Sequence, residues 1–457
     1  MTSDSTYDLA VVGAGPGGFE AALAGASLGL STVLVEKGHF GGTCLNTGCI
    51  PTKLFLGASA SVHELHAQAR LKIAQGRIDI DLPSLQNRKQ KILAGHRKAM
   101  QSRLVGAGVT IVNGAARLES RTKLVAESET SASEISFKSL VLATGSRPAV
   151  IPGMVPDQKI VLDSDGLLDL EQAPESLAVL GAGAVGLEMA RFFSALRTKI
   201  ILVEALERIA PFEDPEVSEA LLKIFKREGW TVHVGKKAAS LKVQDGQARL
   251  LLETGEEILA QKALTAFGRS PNTENLGLEN AGLELDPRGF VLVDENLRAA
   301  GQIFAIGDVN GKAMLAHAAS DQARFAVRFI AAKEKGPYTP APIPWCVYGA
   351  PESLRVGEMA HDLKARGLPI QVSKSPLAAN PIAQAHAAPH GFVKAVWSEG
   401  KLMGVTAVGF NVTHLATQAA IMVKQSWTRD NVKQLIFAHP TLDEALRDAL
   451  LAEPVEV

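Results

Sequence analysis

Cys44 and Cys49 stand five residues apart in the run Gly41-Gly42-Thr43-Cys44-Leu45-Asn46-Thr47-Gly48-Cys49-Ile50-Pro51-Thr52-Lys53, just downstream of a nucleotide-binding pattern. Two thiols so spaced and flanked by glycines read as a redox-active disulfide working against a flavin, since a thiolate exchanges disulfides where a thiol does not. A stapling disulfide and a zinc half-site are the other readings. Zinc needs four ligands, and the sequence offers neither a second cysteine pair nor a Cys/His cluster to complete them. A staple belongs to secreted chains, and nothing marks this one as secreted. The third cysteine, Cys346, reads as a buried or semi-buried thiol.

The elements that must carry this pair come from an internal repeat. Asp8-Leu9-Ala10-Val11-Val12-Gly13-Ala14-Gly15-Pro16-Gly17-Gly18 opens one βαβ unit, and Ser176-Leu177-Ala178-Val179-Leu180-Gly181-Ala182-Gly183-Ala184-Val185-Gly186 opens another 168 residues later. Glu20 aligns with Glu188, and Thr32-Val33-Leu34-Val35-Glu36 with Ile200-Ile201-Leu202-Val203-Glu204, without a gap. In each copy the first glycine (Gly13, Gly181) permits a tight bend. The second (Gly15, Gly183) lets backbone amides approach a pyrophosphate, and the third (Gly18, Gly186) lets helix pack on strand. The helix N-terminus then faces the phosphates, and the terminal Glu36 or Glu204 suits a ribose hydroxyl. A lone GxGxxG is weak evidence. Strand, three glycines, helix, strand and acid, occurring twice, are strong, and predict an α/β fold with two Rossmann-like dinucleotide-binding domains. One difference between the copies is that Gly29, after Leu28, is replaced by Arg197 after Leu196, so a favourable helix-ending glycine is lost.

The cysteines decide which copy holds which cofactor. Cys44 follows Glu36 by eight residues, so the first copy is expected to hold the flavin and the second the nicotinamide. Glu204 would repel a 2′-phosphate, which favours NAD over NADP, although Arg208 four residues on weakens the inference. The bulk numbers agree with a large enzyme of about three domains. With 47 basic and 48 acidic residues the net charge is −1, which favours neither nucleic acid nor an anionic membrane. Met1 to Ala10 shows no basic n-region followed by an apolar h-region, and no apolar run approaches the roughly 20 residues of a membrane span. A cytoplasmic location is the expectation.

With these residues in view the chain resembles the pyridine nucleotide-disulfide oxidoreductases over essentially its full length, and among them most resembles the dihydrolipoamide dehydrogenases. The cysteine run, Ala143-Thr144-Gly145, Gly268-Arg269-Ser270-Pro271-Asn272, Ile306-Gly307-Asp308, Met314-Leu315-Ala316-His317, Pro351-Glu352 and His439-Pro440-Thr441-Leu442-Asp443-Glu444 occur in family order. The resemblance implies FAD and NAD as cofactors, no metal, and oxidation of protein-bound dihydrolipoamide. Cys44 would be the interchange thiol and Cys49 the thiolate facing the flavin. Lys53 and Glu188 would form an ion pair beside the flavin's reactive edge. His439 would be the general base, oriented by Glu444 at the start of a predicted helix with Pro440 at an early helical position. Asp308 would bind the ribityl chain, Ala116 and Ala316 would offer backbone contacts, and Thr43, Thr144, Gly145 and Gly268 complete the implied cofactor positions. A homodimer follows, since the family's histidine serves the partner subunit, as does a lipoyl-bearing carrier of a 2-oxoacid dehydrogenase complex or the glycine cleavage system.

The organisation then reads as a flavin-binding domain at 1–149, with a helical segment from about Ala58 to Leu104 and a sheet insertion from about Ile111 to Leu142. An NAD domain follows at 150–269, a return to the flavin region at 270–337, and a C-terminal α/β interface domain at 338–457. Ile382, Gly349, Phe437 and Ala318 depart from residues frequent in the family, and bear on the disulfide substrate more than on the flavin chemistry. Three alternatives stand beside the main reading. A glutathione-type reductase would carry arginines around 204–210, and a mercuric reductase would end in a vicinal cysteine pair. A non-catalytic flavoprotein subunit would not need Cys44, Cys49 and His439.

Overall fold

The computed structural model describes residues 6–457; residues 1–5, part of the N-terminal stretch read above for a leader, lie outside the described residues. The chain packs as two compact units, one of Met1–Pro51, Asn87–Ala149 and Gly268–Pro340, the other of Thr52–Gln86, Val150–Phe267 and Ala341–Val457.

In the first unit the strands Tyr7–Val12, Thr32–Glu36 and Thr110–Asn113 run parallel, with Ala132–Leu142 and Ile303–Ala305 parallel on the other side of Tyr7–Val12. Alternation along these strands sends Ala10, Val12, Val33 and Val35 into one core and Leu9, Val11 and Leu34 into another. Burial on both faces is why the strands read as unbroken apolar runs. The helix Pro16–Ser27 packs on Ala316–Ile330 through small residues, a Cβ at Gly17 reaching within 3.3 Å of Ala319.

The second unit repeats the motif. Ser176–Leu180, Lys199–Val203, Thr231–His233 and Lys262–Thr265 form a parallel sheet, extended by Val161–Leu162. The same unit holds a three-stranded antiparallel sheet from Ala238 to Ala260 and a six-stranded sheet built from Trp345 onward, covered by the helices Ala416–Lys424 and Asp443–Leu451.

Three local readings need correction. The helical segment expected from about 58 to 104 is helical but interrupted, forming two helices, Cys49–Arg70 and Leu82–Gly106. Lys72 and Gly76 take positive φ, and Asp81 accepts the Ser84 N–H at 2.8 Å ahead of the second helix, with Pro83 in its first turn. The expected insertion at 111–142 is smaller. Thr110–Asn113 and Ala132–Leu142 belong to the parallel sheet, and only Ala115–Leu118 and Lys123–Glu127 lie off it, pairing antiparallel beside Ala132–Leu142. Pro440 is not an early helical residue: its peptide with His439 is cis and the helix starts at Asp443. The lost glycine of the second repeat leaves the turn unchanged, because Arg197 takes φ 68 where Gly29 takes 78, a left-handed conformation that costs an L-residue about 1 kcal/mol.

His63, on the helix Cys49–Arg70, has an enclosed Nε2 without a partner among the described residues. Burial, then the neighbouring Arg191 charge, pushes its imidazole down to about 2. The folded form therefore stays neutral where the unfolded chain takes up a proton. Stability is full above the unfolded value of about 6.5 and falls by about 1.4 kcal/mol per pH unit below it. Urea unfolding at pH 7 and pH 5 is expected to differ by about 2 kcal/mol from this residue alone. His63→Leu should remove that part of the slope, and an unchanged slope would show that the imidazole is not held neutral.

Candidate active site

The first glycine turn is closed by contacts that only glycine allows. Gly13 has φ +98, and a Cβ there would lie 2.4 Å from the Ala143 carbonyl oxygen; one on Gly18 would lie 1.8 Å from that of Gly13. The second turn repeats this, with Gly181 at φ +106 and 2.3 Å from Ala266 O, and Gly186 at 2.0 Å from Gly181 O. The acid at the end of the next strand is fixed alike in both copies. Glu36 accepts the Ala14 N–H at 2.5 Å and the Gly38 N–H at 2.7 Å, while Glu204 accepts those of Ala182 at 2.7 Å and Leu206 at 2.8 Å. Each carboxylate is thus braced at the mouth of its turn with lone pairs to spare.

The cysteine loop is seated directly on the first turn. Gly41 N–H donates to Ala14 O at 2.8 Å, and a Cβ on Gly42 would reach within 2.9 Å of Gly15 Cα. Cys44 lies half-buried in the short helix Gly42–Asn46, and Cys49, exposed, is the first residue of the helix Cys49–Arg70. Between them the chain folds back closely, a Cβ at Gly48 falling 2.9 Å from Thr43 O. Asn46 donates to Phe40 O at 3.1 Å and Gly42 O at 2.7 Å, and its enclosed Oδ1 has no partner among the described residues.

Sequence reading treated the remaining motifs of this unit separately; the structure ties them together. The strands Ser146–Pro148 and Arg269–Pro271 pair antiparallel. Arg269 donates to Ser146 Oγ at 2.6 Å and its carbonyl at 2.8 Å, and Ser146 Oγ meets Asp308 Oδ2 at 2.5 Å. Thr43 Oγ1 completes the network, 3.3 Å from Ser146 O and 3.4 Å from Arg269 Nη2. Thr144 and Asn272 exchange hydrogen bonds at 2.8 and 2.9 Å, beside Gly145 and Gly268 at positive φ. Ala116 is a buried strand residue, and Ala316 opens a helix whose first N–H groups carry no side-chain cap. Ser146 and Arg269 were missed as linking residues. Arg269 lay within a quoted motif, but Ser146 gave no signal beyond adjoining Gly145.

In the second unit Lys53 Nζ lies 2.7 Å from Glu188 Oε2, with the carboxylate side chain 6% and the lysine 35% exposed. Sequence reading missed Tyr348, which donates its backbone N–H to Glu188 Oε1 at 2.9 Å and places its ring 4.4 Å from the Lys53 ammonium. His439 Nδ1 stands 3.0 Å from Glu444 Oε2, and the imidazole is 71% exposed while Glu444 is buried. The Thr441 N–H, then His439 and Arg447, hold the Glu444 carboxyl below the usual range against the opposing effect of burial. A carboxylate on Nδ1–H leaves Nε2 as the free acceptor, the arrangement a general base needs. No cluster of His, Cys, Asp and Glu able to hold a metal ion occurs among the described residues, and no helix among them is long and apolar enough to cross a membrane.

Comparison with known proteins places this geometry. Residues 7–323 match the model for the pyridine nucleotide-disulphide oxidoreductases, and 343–450 that family's dimerisation domain. The dihydrolipoyl dehydrogenase of Chlorobaculum parvum is 37% identical across 99% of this chain and 98% of its own, and that of Bacillus subtilis 33% across 98% of each. Among solved structures, LpdA from Mycobacterium tuberculosis superimposes with a TM-score of 0.90 at 27% identity, over 97% of this chain and 99% of its own. The HOCl-induced flavoprotein disulfide reductase RclA from Escherichia coli does so at 0.86 and 26%, with the same coverage. A duplicated dinucleotide turn, a cysteine pair resting on the first of them and a matched dimerisation segment have one common explanation, and the chain belongs to the pyridine nucleotide-disulphide oxidoreductase family.

Proposed function

We propose that this protein oxidises protein-bound dihydrolipoamide to lipoamide and reduces NAD, using FAD and the Cys44/Cys49 pair. The observation that carries the reading is the seating of the cysteine loop on the first glycine turn through Gly41 and Gly42. The relatives' names point to the same chemistry. In this reading 1–149 with 270–337 hold the flavin, 150–269 the NAD, and 338–457 the interface of a homodimer.

The residues fit both cofactors. The glycine turns keep backbone amides accessible to a pyrophosphate, Glu36 and Glu204 accept ribose hydroxyls, and Asn46 Oδ1, without a partner among the described residues, offers an acceptor in the loop between Glu36 and Cys49. Asp308, Thr43, Thr144, Gly145, Gly268, Ala116 and Ala316 complete the flavin's surroundings. When bound, the flavin supplies two-electron transfer, taking the pair from the dithiol and passing it to NAD as hydride.

The protein's own groups handle sulfur and protons. His439 of the partner subunit takes a proton from one substrate thiol, and the thiolate attacks Cys44, breaking the Cys44–Cys49 bond and leaving Cys49 as thiolate. The second substrate thiol then attacks the substrate sulfur of the mixed disulfide, releasing lipoamide and Cys44; its proton passes by way of His439, so that of the two substrate protons one ends on Cys44 and one on His439. Lys53, held on Glu188, supplies a positive charge beside the flavin. The test is NAD reduction by free dihydrolipoamide, with NADP and reduced glutathione in parallel. Fast turnover with NAD and dihydrolipoamide is expected, and turnover only with glutathione would replace this substrate by another disulfide.

A further inference from the structure

Tyr348 holds the Lys53–Glu188 pair at more than one point. Its backbone N–H takes Glu188 Oε1 at 2.9 Å, which leaves Oε2 for the ammonium at 2.7 Å. Its ring covers the same ammonium, with Nζ 4.4 Å from the centroid. Its hydroxyl shares a hydrogen bond with the Cys346 thiol. The ring is therefore pinned at the backbone and at the phenol end. Burial pushes the Cys346 thiol up to about 11, so this anchor stays protonated and outside thiol exchange.

Gly349 shows how the chain reaches this arrangement. It has φ +126, and a Cβ there would come 3.2 Å from Arg191 Cγ and 3.8 Å from Leu56 Cδ2. Threonine, frequent in the family at this position, is barred from that backbone conformation. The departure noted in the sequence is thus the residue that sets the backbone beside Tyr348.

We infer that Tyr348, with its backbone set by Gly349, is a positioning residue that confines the Lys53 ammonium between a carboxylate and an aromatic face, and so raises the flavin's reduction potential. The inference rests on the reading of Lys53 as the cation beside the flavin. An unrestrained lysine spreads its ammonium over many hydrated rotamers. One held by an ion pair and a ring keeps its charge in one partly buried place, where it is weakly screened and favours the added negative charge of reduced flavin.

The experiment measures the NADH to NAD ratio that half-reduces the bound flavin, in a Cys44→Ser background where the flavin is the sole redox centre. Tyr348→Leu is expected to require a ratio about tenfold higher, about 30 mV for a two-electron couple. Tyr348→Phe, which keeps the ring and the backbone N–H, should stay within about threefold of the parent, a span the loss of one neutral hydrogen bond allows. In a Lys53→Met background, Tyr348→Leu should add less than about twofold, since the two act as a unit. An unmoved ratio in Tyr348→Leu, or an equal shift with Lys53 absent, overturns the role. Should Tyr348→Leu fail to hold flavin, Gly349→Ala keeps every side chain here but bars the backbone; the same direction of shift is expected, and none overturns the proposal. Dihydrolipoamide turnover of the unsubstituted protein separates the two claims: its absence removes the reading of the site, whereas its presence with an unmoved ratio removes only the role of Tyr348.

Discussion

Cys44→Ser is expected to bind flavin normally and to accept electrons from NADH, yet to lose dihydrolipoamide turnover by at least ~10³-fold, because a hydroxyl can neither form nor exchange a disulfide. The flavin should stay because its binding depends on the turn at Gly13, Gly15 and Gly18 and on Glu36, none of which the substitution touches. The short helix Gly42–Asn46 should also survive. It is held by Gly41 on Ala14 and by Asn46 on Phe40 and Gly42. Steady-state NAD reduction, read beside flavin absorbance, decides the matter. Turnover within tenfold of the parent would mean that the substrate passes electrons without the cysteine pair.

His439→Ala should lower dihydrolipoamide turnover by about 10²- to 10⁴-fold, the usual worth of a positioned acid–base group, with flavin content unchanged. Glu444 acts on this histidine and not on the substrate, so Glu444→Gln should cost less, about tenfold, through a poorly oriented ring. The pH profile separates them. Glu444 is held below the ordinary carboxylate range, first by the Thr441 N–H and also by His439 and Arg447, so it remains anionic across a working range above pH 5. A loss of rate as pH falls through that range therefore does not come from Glu444, and should persist in Glu444→Gln. Full activity of His439→Ala would remove the imidazole from the mechanism.

How far the site could be read from the sequence depended on the distance over which each constraint acts. The glycine turns were legible because strand, bend, helix and acid lie within one βαβ unit, and each glycine answers a contact along that short stretch, such as Gly18 on Gly13. The contact of His439 with Glu444, five residues apart, was implied by the family resemblance, while the turn joining them was not legible, since the helix begins only at Asp443. The helical segment expected near 58–104 is present, but its break at 71–81 was not legible, because it rests on single residues, Lys72, Gly76 and Asp81, whose effect periodicity does not show.

Local chemistry determined the duplicated dinucleotide turns, their braced acids and the candidate thiols, since those features need only neighbouring residues and the backbone conformations that glycine alone reaches. Tertiary structure alone decided that Gly42 abuts Gly15, that Ser146, Arg269 and Asp308 share one network, and that Tyr348 lies on an ion pair whose members are 135 residues apart in the chain. Each of these joins segments separated by whole elements. Their meeting depends on how sheets and helices pack, which no pattern within a single segment encodes.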